Sequence, residues 1–273
     1  MQEDGSHSRR GFIQAGASIA AVTAPSAQAA ARERDKVLYA ELLPHEFRRR
    51  LAEQPLAYLP LGTLEWHGEH LPLGSDAIQS EGLMIECARR FGGIVMPPIH
   101  LGPDRARPSN DSRMLYGMDY APSTDPPRQL DGSCYWVPLG LHLLVVDAVL
   151  AQLKRAGFRA VFADGHGPSR WSWVENLAER EVRFGLKLLG VTKEIAGQWK
   201  SQMDHAGRNE TSMMMQLRPE LVDLSRLAQD RAARPLGVGG EDPRDATPSF
   251  GRECQDTSIE TVRQMLVKAG LLA

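Results

Sequence analysis

Short apolar runs alternate with longer stretches of helical periodicity along most of this chain. The apolar runs predict strands at residues 57–61, 93–97, 160–163 and 186–192. Apolar residues that recur every three or four positions predict helices at residues 77–91, 139–156 and 171–184. Strands that alternate with helices are typical of βα units, whose parallel strands are covered on both faces. The pattern therefore predicts an α/β fold, a three-layer α/β/α sandwich with a mostly parallel central sheet.

Residues 102–137 interrupt this pattern, because they are rich in Pro, Asp, Ser, Gly and Arg and show no sustained period. A loop of this length inside a compact domain is more often a functional lid or an interface arm than a passive connector. A disordered insertion is the alternative. If the segment is a lid, its Arg105, Arg107, Arg113 and Tyr116 are candidates for substrate specificity.

The last part of the chain shows helical periodicity at residues 210–217 and 258–269. Between these two stretches, residues 234–254 are rich in Gly, Pro and Asp. This composition predicts a loop or a partner contact.

Composition limits the classes of partner. The chain has 273 residues and a formal net charge of -2, and a single domain at residues 30–273 is expected from this length. Without a basic excess there is no reason to expect nucleic acid, so a small-molecule substrate is the expected partner.

Residues 1–29 resemble a twin-arginine export signal. Ser8, Arg9, Arg10 and Phe12 precede a weakly hydrophobic, alanine-rich stretch that ends in an A-x-A cleavage site at residues 27–29. The twin-arginine machinery carries folded proteins, so a chain exported in this way would acquire any cofactor before export. We expect a periplasmic or otherwise exported chain, not attached to a membrane after cleavage. An ordinary secretory signal and an uncleaved anchor are the alternatives.

The cysteines Cys87, Cys134 and Cys254 are far apart in the sequence and form no CxxC pair, so a cysteine-based zinc site is not expected. A Cys134–Cys254 disulfide and three unpaired thiols are both open.

Ligand-type side chains follow two of the predicted strands. Glu65 and His67 lie two residues apart after the first strand, so an extended backbone projects them to the same side. His166 follows the third strand between two glycines, and Asp76 opens a helix. Alone, Asp76 is explained as a helix cap and His166 as a hydrogen-bonded structural residue. Four such groups at the carboxyl edge of one sheet favour a metal site instead.

A further motif, Asp204 to Ser212, precedes a methionine-rich helix and contains His205 and Glu210. Both residues could line the same pocket. The alternative is that Glu210 is only a first-turn acid favoured by the helix dipole.

The runs LPLGTLEWHGEHLPLGSD, PPIHLG, LKRAGFRAVFADGHG and DHAGRNETS, within residues 59–227, together resemble the creatininase (creatinine amidohydrolase) family. The resemblance implies a creatininase-like fold, a homo-oligomer such as a hexamer, and two divalent metal ions of Zn, Mn or Fe. In the implied site, Glu65 and His166 bind one metal, His67 binds the other, and Asp76 bridges them.

The resemblance also implies catalytic roles for His205 and Glu210. His205 would act as a proton shuttle or as a donor to the developing oxyanion, and Glu210 would complete the second metal's ligands or orient His205. Trp66, His70 and Asp164 are candidates for holding the ligands in place; for Trp66 and His70, ordinary packing beside the site is the alternative.

One position departs from the family pattern. Pro168 stands where creatininases carry a metal-binding Glu and cannot ligate, so the second metal must rely on His67, Asp76 and the candidate Glu210, or be weakly held. Creatinine itself is therefore not the expected substrate.

The implied function is a metal-dependent hydrolase that cleaves the C–N bond of a small cyclic amide, a formamide or a related amide with metal-activated water. A short modified peptide is also open as a substrate. The alternatives are a catalytically impaired metal-binding or scaffold protein of the same fold, and a structural cell-envelope protein.

Overall fold

The computed structural model describes residues 36–199 and 204–273. The predicted export signal at residues 1–29 lies outside the described residues and stays a prediction. Within the described ranges, no helix combines the length and the apolar character that crossing a membrane requires.

The regular elements of the described residues confirm the predicted order of strands and helices. In chain order they are α1 (Pro44–Glu53), β1 (Leu56–Leu61), α2 (Ser75–Phe91), β2 (Ile94–Val95), β3 (Ala106–Pro108), β4 (Met114–Tyr116), α3 (Leu139–Ala156), β5 (Ala160–Gly165), α4 (Gly167–Glu175), α5 (Leu177–Phe184), β6 (Lys187–Gly190), α6 (Lys193–Ala196), α7 (Arg208–Leu217) and α8 (Pro248–Lys268).

The four strands of the central sheet are parallel and lie in the order β2-β1-β5-β6. Strand alternation places Tyr58 and Phe162 on one face, where they pack with side chains of α2 and α8. Leu59 and Val161 face the other way and pack with side chains of α3, α4 and α5. The predicted three-layer α/β/α sandwich is therefore confirmed.

Helices α2 and α7 each begin two residues before the predicted start, and two other helices differ more from the prediction. The helix predicted at residues 171–184 is two helices, because the backbone leaves helical geometry at Asn176 (φ -113°, ψ 11°). Helix α8 begins at Pro248 within the segment predicted as loop, where the Thr247 side chain accepts a hydrogen bond from the Phe250 N–H. Gly251, which suggested a loop in the sequence, instead allows α7 and α8 to pack closely.

We expect Gly251→Ala to destabilise the protein, because an ideal Cβ at this position would lie 2.0 Å from the Ser212 carbonyl oxygen. Forcing the two helices apart should lower the free energy of unfolding by about 1–3 kcal/mol, measured by urea denaturation. The control is Gly140→Ala in α3, where the added Cβ would have no described atom within 4 Å apart from its chain neighbours and the backbone of its own helix. The control should be neutral or stabilising; equal destabilisation by both changes would contradict this account.

Residues 102–137, called the lid segment below, are ordered rather than a disordered insertion. Strands β3 and β4 pair antiparallel within it, with Arg107 opposite Leu115. The segment is fastened to the loop after β1, because the Cys134 N–H donates to the Leu64 carbonyl at 3.1 Å. The Ser133 hydroxyl accepts a hydrogen bond from the Trp66 N–H at 2.7 Å.

The proposed Cys134–Cys254 disulfide is wrong, and the alternative of three unpaired thiols is observed. Cys254 is buried in α8, whereas Cys134 is exposed in the lid segment.

Candidate metal centre

The sequence-predicted site residues converge at the carboxyl edge of the sheet. Glu65 and His67 follow β1, and His166 follows β5. Asp76 and Glu210 lie in the first turns of α2 and α7, respectively. His205 precedes α7, and its ring centroid lies 4.4 Å from that of His67. Residues far apart in the chain thus form one buried cluster.

A glycine makes the position of His166 possible. Gly165 has φ +146°, and an ideal Cβ there would lie 1.7 Å from the Leu61 carbonyl oxygen. Only a residue without a side chain lets the end of β5 approach β1 this closely. The His166 N–H then donates to the same carbonyl at 2.8 Å, which fixes the turn that carries the imidazole.

The first candidate ligand set consists of His166, Glu65 and Asp76. Nδ1 of His166 lies 3.1 Å from Asp76 Oδ2 and 3.3 Å from Glu65 Oε1. Its Nε2 lies 3.1 Å from the Pro103 carbonyl oxygen. Because a carbonyl only accepts, Nε2 carries a hydrogen, and the Nδ1 lone pair of the neutral ring is then available to a metal.

The second candidate set consists of His67, Asp76 and Glu210. Nδ1 of His67 faces the Glu65 carbonyl oxygen at 3.1 Å, so the ring donates from that atom. The opposite nitrogen, Nε2, lies 3.7 Å from Asp76 Oδ1 and 3.6 Å from Glu210 Oε2. This Nε2 is buried and has no hydrogen-bond partner among the described residues. A buried nitrogen without a partner that faces two carboxylates fits a metal ion.

Asp76 is common to the two sets. Its Oδ2 faces His166 and its Oδ1 faces His67, so one carboxylate spans both positions. In each set the potential ligand atoms lie within 4.8 Å of one another. A third combination, Glu65, His67 and His205, meets the same limit. The donor set of imidazoles and carboxylates fits two divalent cations that share Asp76.

The electrostatics of the cluster also fit cations. Burial raises the pKa of Glu210 to about 8, and the Asp76 carboxylate beside it acts in the same direction. Burial by itself would lower the pKa of His67, but Asp76 and Glu210 raise it to about 10. The buried carboxylates therefore require positive charge nearby, which divalent cations would supply in place of protons.

His205 is the most open imidazole of the cluster, with 19% of its side chain exposed against 0% for His67 and 4% for His166. Its Nε2 lies 2.7 Å from the Trp66 carbonyl oxygen, so Nε2 carries the hydrogen. Burial and the neighbouring His67 lower the pKa of His205. The lowered pKa favours the neutral ring, whose Nδ1 carries a lone pair and lies 3.8 Å from Glu65 Oε1.

The sequence model of a family described as creatinine amidohydrolase matches residues 40–124 and 134–266 of this chain. The chain belongs to the creatininase family. It is 29% identical over 237 residues to a creatinine amidohydrolase of Pseudomonas putida, across 79% of this chain and 85% of that protein. It is 27% identical over 231 residues to a mycofactocin precursor peptide peptidase of Mycobacterium ulcerans (strain Agy99), across 72% and 79% of the two chains.

Solved structures of creatininases share this fold. A crystal structure of creatinine amidohydrolase superposes with a TM-score of 0.64 at 22% identity, covering 85% of this chain and 97% of that one. A putative creatinine amidohydrolase from Bacteroides fragilis gives a TM-score of 0.61 at 20% identity, covering 85% and 95%. The creatininase-like fold is therefore confirmed.

The family position occupied by Pro168 lies on the wall of the site cavity, in the first turn of α4. Proline offers no ligand atom there. Besides Asp76, the second candidate set contains the carboxylate of Glu210, whose Oε2 also accepts a hydrogen bond from the Ala206 N–H at 2.7 Å. Of the two roles implied for Glu210, this geometry favours metal ligand over orientation of His205.

Trp66, His70 and Asp164 hold the surrounding backbone in place. The Trp66 indole N–H donates to the Leu236 carbonyl at 2.7 Å, and His70 Nε2 lies 2.9 Å from the Thr211 hydroxyl beside Glu210. Asp164 does not contact the ligands directly. It forms a buried ion pair with Arg170, and the pair spans the turn that carries His166.

Two further carboxylates line the site cavity, which has a volume of about 200 Å³. Asp204 accepts hydrogen bonds from the Asn209 and Glu210 N–H groups in the first turn of α7. It lies three residues before the N-cap Gly207, so the usual spacing of a helix cap did not identify it in the sequence. Asp104 comes from the lid segment, and no signal in that irregular stretch distinguished it. Burial and the nearby Glu65 raise the pKa of Asp104 to about 6.

We expect Glu210→Gln to reduce the metal content from about two ions per chain to about one, because only the second set loses an anionic ligand. Replacing residues that merely support a ligand weakens metal binding about 10–100-fold. Loss of a direct ligand should therefore weaken metal binding by at least about 100-fold. Metal analysis after dialysis measures this. Glu69→Gln, an exposed residue in the loop after β1 that carries Glu65 and His67, is the control and should keep both ions. Unchanged metal content in Glu210→Gln would rule out the ligand role.

Proposed function

We propose that this creatininase-family amidohydrolase is a dinuclear enzyme that hydrolyses the C–N bond of a small cyclic amide, a formamide or a related amide. The observation that supports this most strongly is the Asp76 carboxylate, shared between two ligand sets on the wall of a small cavity. A cavity of about 200 Å³ suits a compact reacting group better than a folded polypeptide.

The proposed cofactor is a pair of divalent ions, of Zn, Mn or Fe. Two solved creatininase structures of this fold are described as Zn-Zn type and as Mn creatininase. Bound between these ligands, such ions would polarise an amide carbonyl and lower the pKa of water.

His205 is the proposed proton carrier. Its Nδ1 accepts the proton that the attacking water gives up and then donates it to the departing nitrogen. The 2.7 Å hydrogen bond from Nε2–H to the Trp66 carbonyl holds the ring in this tautomer throughout. Arg105 and Met118 of the lid segment line the same cavity, so the segment limits the access of bulk water.

Pro168 argues against creatinine itself as the substrate, because it replaces an acid that creatininases use. A relative named as a precursor peptide peptidase supports a modified peptide as a second candidate substrate. The rival hypothesis, a scaffold that has lost catalysis, is disfavoured by the partly exposed His205 side chain, whose tautomer leaves a lone pair on Nδ1.

The test is a screen of the metal-loaded protein against creatinine, hydantoin, N-formyl amino acids and short peptides. We expect release of an amine or ring opening for at least one cyclic amide or formamide, little activity on creatinine, and loss of turnover after chelation. Ring opening is followed by absorbance and amine release by a fluorogenic reagent. A fully metal-loaded protein that is inactive on the entire panel would favour the scaffold hypothesis.

Export to the periplasm and homo-oligomer formation, with a hexamer as the expected state, remain part of this proposal. Leu139, Leu141 and Leu144 at the start of α3 expose 49%, 47% and 66% of their surface, which supports a contact between copies. Solution mass measurement that finds only monomer would contradict the oligomer.

A further inference from the structure

A second cavity, of about 480 Å³, lies within the lid segment next to the metal centre. Asp104 lines both this cavity and the 200 Å³ cavity that holds the ligand sets. Asp104 is therefore a wall that the two cavities share.

The lid cavity presents aromatic surfaces. Tyr116 and Trp136 form part of its lining, and their ring centroids lie 4.6 Å apart with an interplanar angle of 38°. Tyr135 and Met114, also in the lining, expose 57% and 46% of their surface. Large apolar side chains left uncovered beside a cavity are typical of ligand-binding grooves. The indole Nε1 of Trp136 is buried and has no hydrogen-bond partner among the described residues.

Asp119, the other acidic residue of the lining, holds the lid backbone in place. Both of its carboxylate oxygens accept backbone hydrogen bonds, one from the Tyr116 N–H at 3.0 Å and one from the Leu130 N–H at 2.8 Å. The other groups of the lining that can contact a ligand include the rings of Tyr116, Tyr135 and Trp136.

Two further features set the lid cavity apart. Tyr135 has φ +76°, a strained conformation for a residue with a side chain, and such strain is concentrated at ligand and active sites. The family match is interrupted at residues 125–133, and this interval includes Gln129 and Ser133 of the lining. Part of the cavity wall thus lies outside the stretches that match the family model.

We propose that the lid cavity binds an aromatic group carried by the amide substrate. This inference rests on the proposed function. The aromatic ring packs against Tyr116 and Trp136, while the amide lies at the metal centre beyond Asp104. Aromatic rings pair favourably with aromatic side chains in offset or edge-on contact, beyond the gain from burial alone. The cavity has more than twice the volume of the metal-site cavity, so a bare small ring would leave it empty.

The test compares hydantoin with 5-benzylhydantoin, the same cyclic amide with an added aromatic group. Binding to the metal-loaded full chain is measured by calorimetry. We expect the benzyl compound to bind about tenfold more tightly. Trp136→Ala should abolish this difference without changing the affinity for hydantoin, whereas Trp136→Phe should retain most of it. Tyr39→Ala, an exposed aromatic residue outside the lid segment, is the matched control and should change neither affinity.

Cys134 provides a measurement that requires no substitution. It is exposed and lines the lid cavity, whereas Cys87 and Cys254 are buried. A maleimide should therefore label Cys134 selectively, and saturating 5-benzylhydantoin should slow this labelling about tenfold while saturating hydantoin does not. Equal protection by both compounds, or a Cys134 that resists the reagent without ligand, would overturn the proposal. The second result would mean that another copy of the chain covers the cavity.

These measurements distinguish failure of the lid-cavity proposal from failure of the proposed reaction. If 5-benzylhydantoin binds tightly and protects Cys134, but no amide is hydrolysed, the binding site stands and the proposed reaction fails. If amides are hydrolysed but Trp136→Ala affects both hydantoins equally, the reaction stands and the lid-cavity proposal is overturned.

Discussion

Asp76→Ala should remove both metal ions and nearly all hydrolytic activity. Each oxygen of this carboxylate faces a different histidine, Oδ2 facing His166 and Oδ1 facing His67. Asp76 is the residue shared by the set with Glu65 and His166 and the set with His67 and Glu210. Loss of the ions removes several kcal/mol of transition-state stabilisation, so activity on the substrate found by screening should fall on the order of a thousandfold.

Metal analysis of the purified variant distinguishes a shared ligand from an ordinary helix-cap residue. Asp147→Ala is the matched control, because this carboxylate pairs with Arg180 and Arg183 and does not line the site cavity. The control should keep two ions per chain and full activity. Retention of one tightly bound ion by Asp76→Ala would show that Asp76 does not bridge two metals.

His205→Ala should reduce turnover about 100- to 10,000-fold while leaving the metal content unchanged. The expected reason is loss of the proton carrier at Nδ1, since Glu65, His67, Asp76 and His166 supply ligand atoms without it. The unchanged metal content distinguishes a proton carrier from a metal ligand, a distinction that is needed because His205 also belongs to a third possible ligand group. Steady-state kinetics and metal analysis on the same preparation measure both properties.

The neighbouring His70 provides the matched control for His205. It is buried and its Nε2 lies 2.9 Å from the Thr211 hydroxyl, but it belongs to none of the possible ligand groups. His70→Gln should lower turnover much less than His205→Ala does. If His205→Ala instead loses metal in proportion to its activity, His205 is a ligand and another group carries the proton.

Pro168, which replaces the family acid, and Glu210, which faces His67, both bear on how the second metal ion would be held. A creatininase scaffold that lacks one ligand still has three candidate ligands for the second ion in His67, Asp76 and Glu210. The change at Pro168 therefore alters the cavity wall more than the metal position, and we infer that it affects substrate choice. The lining of the lid cavity lies partly outside the family match, which also supports a difference in substrate choice.

The sequence by itself determined the sheet and most of the site. Apolar runs marked the buried strands because a parallel strand covered on both faces must be apolar throughout, and helix α3 lies at the predicted residues 139–156. Glu65, His67, Asp76 and His166 could be placed at one edge, since parallel strands end on the same side of a sheet.

Only the tertiary structure showed which atoms face each other. That Asp76 directs one oxygen to each histidine depends on how α2 packs beside β1 and β5, and sequence periodicity contains no such information. The same holds for Asp104 and Trp136, which lie in a segment without regular periodicity. Their positions depend on long-range backbone hydrogen bonds such as that from Cys134 to Leu64, and contacts between residues distant in the chain form only when the chain folds.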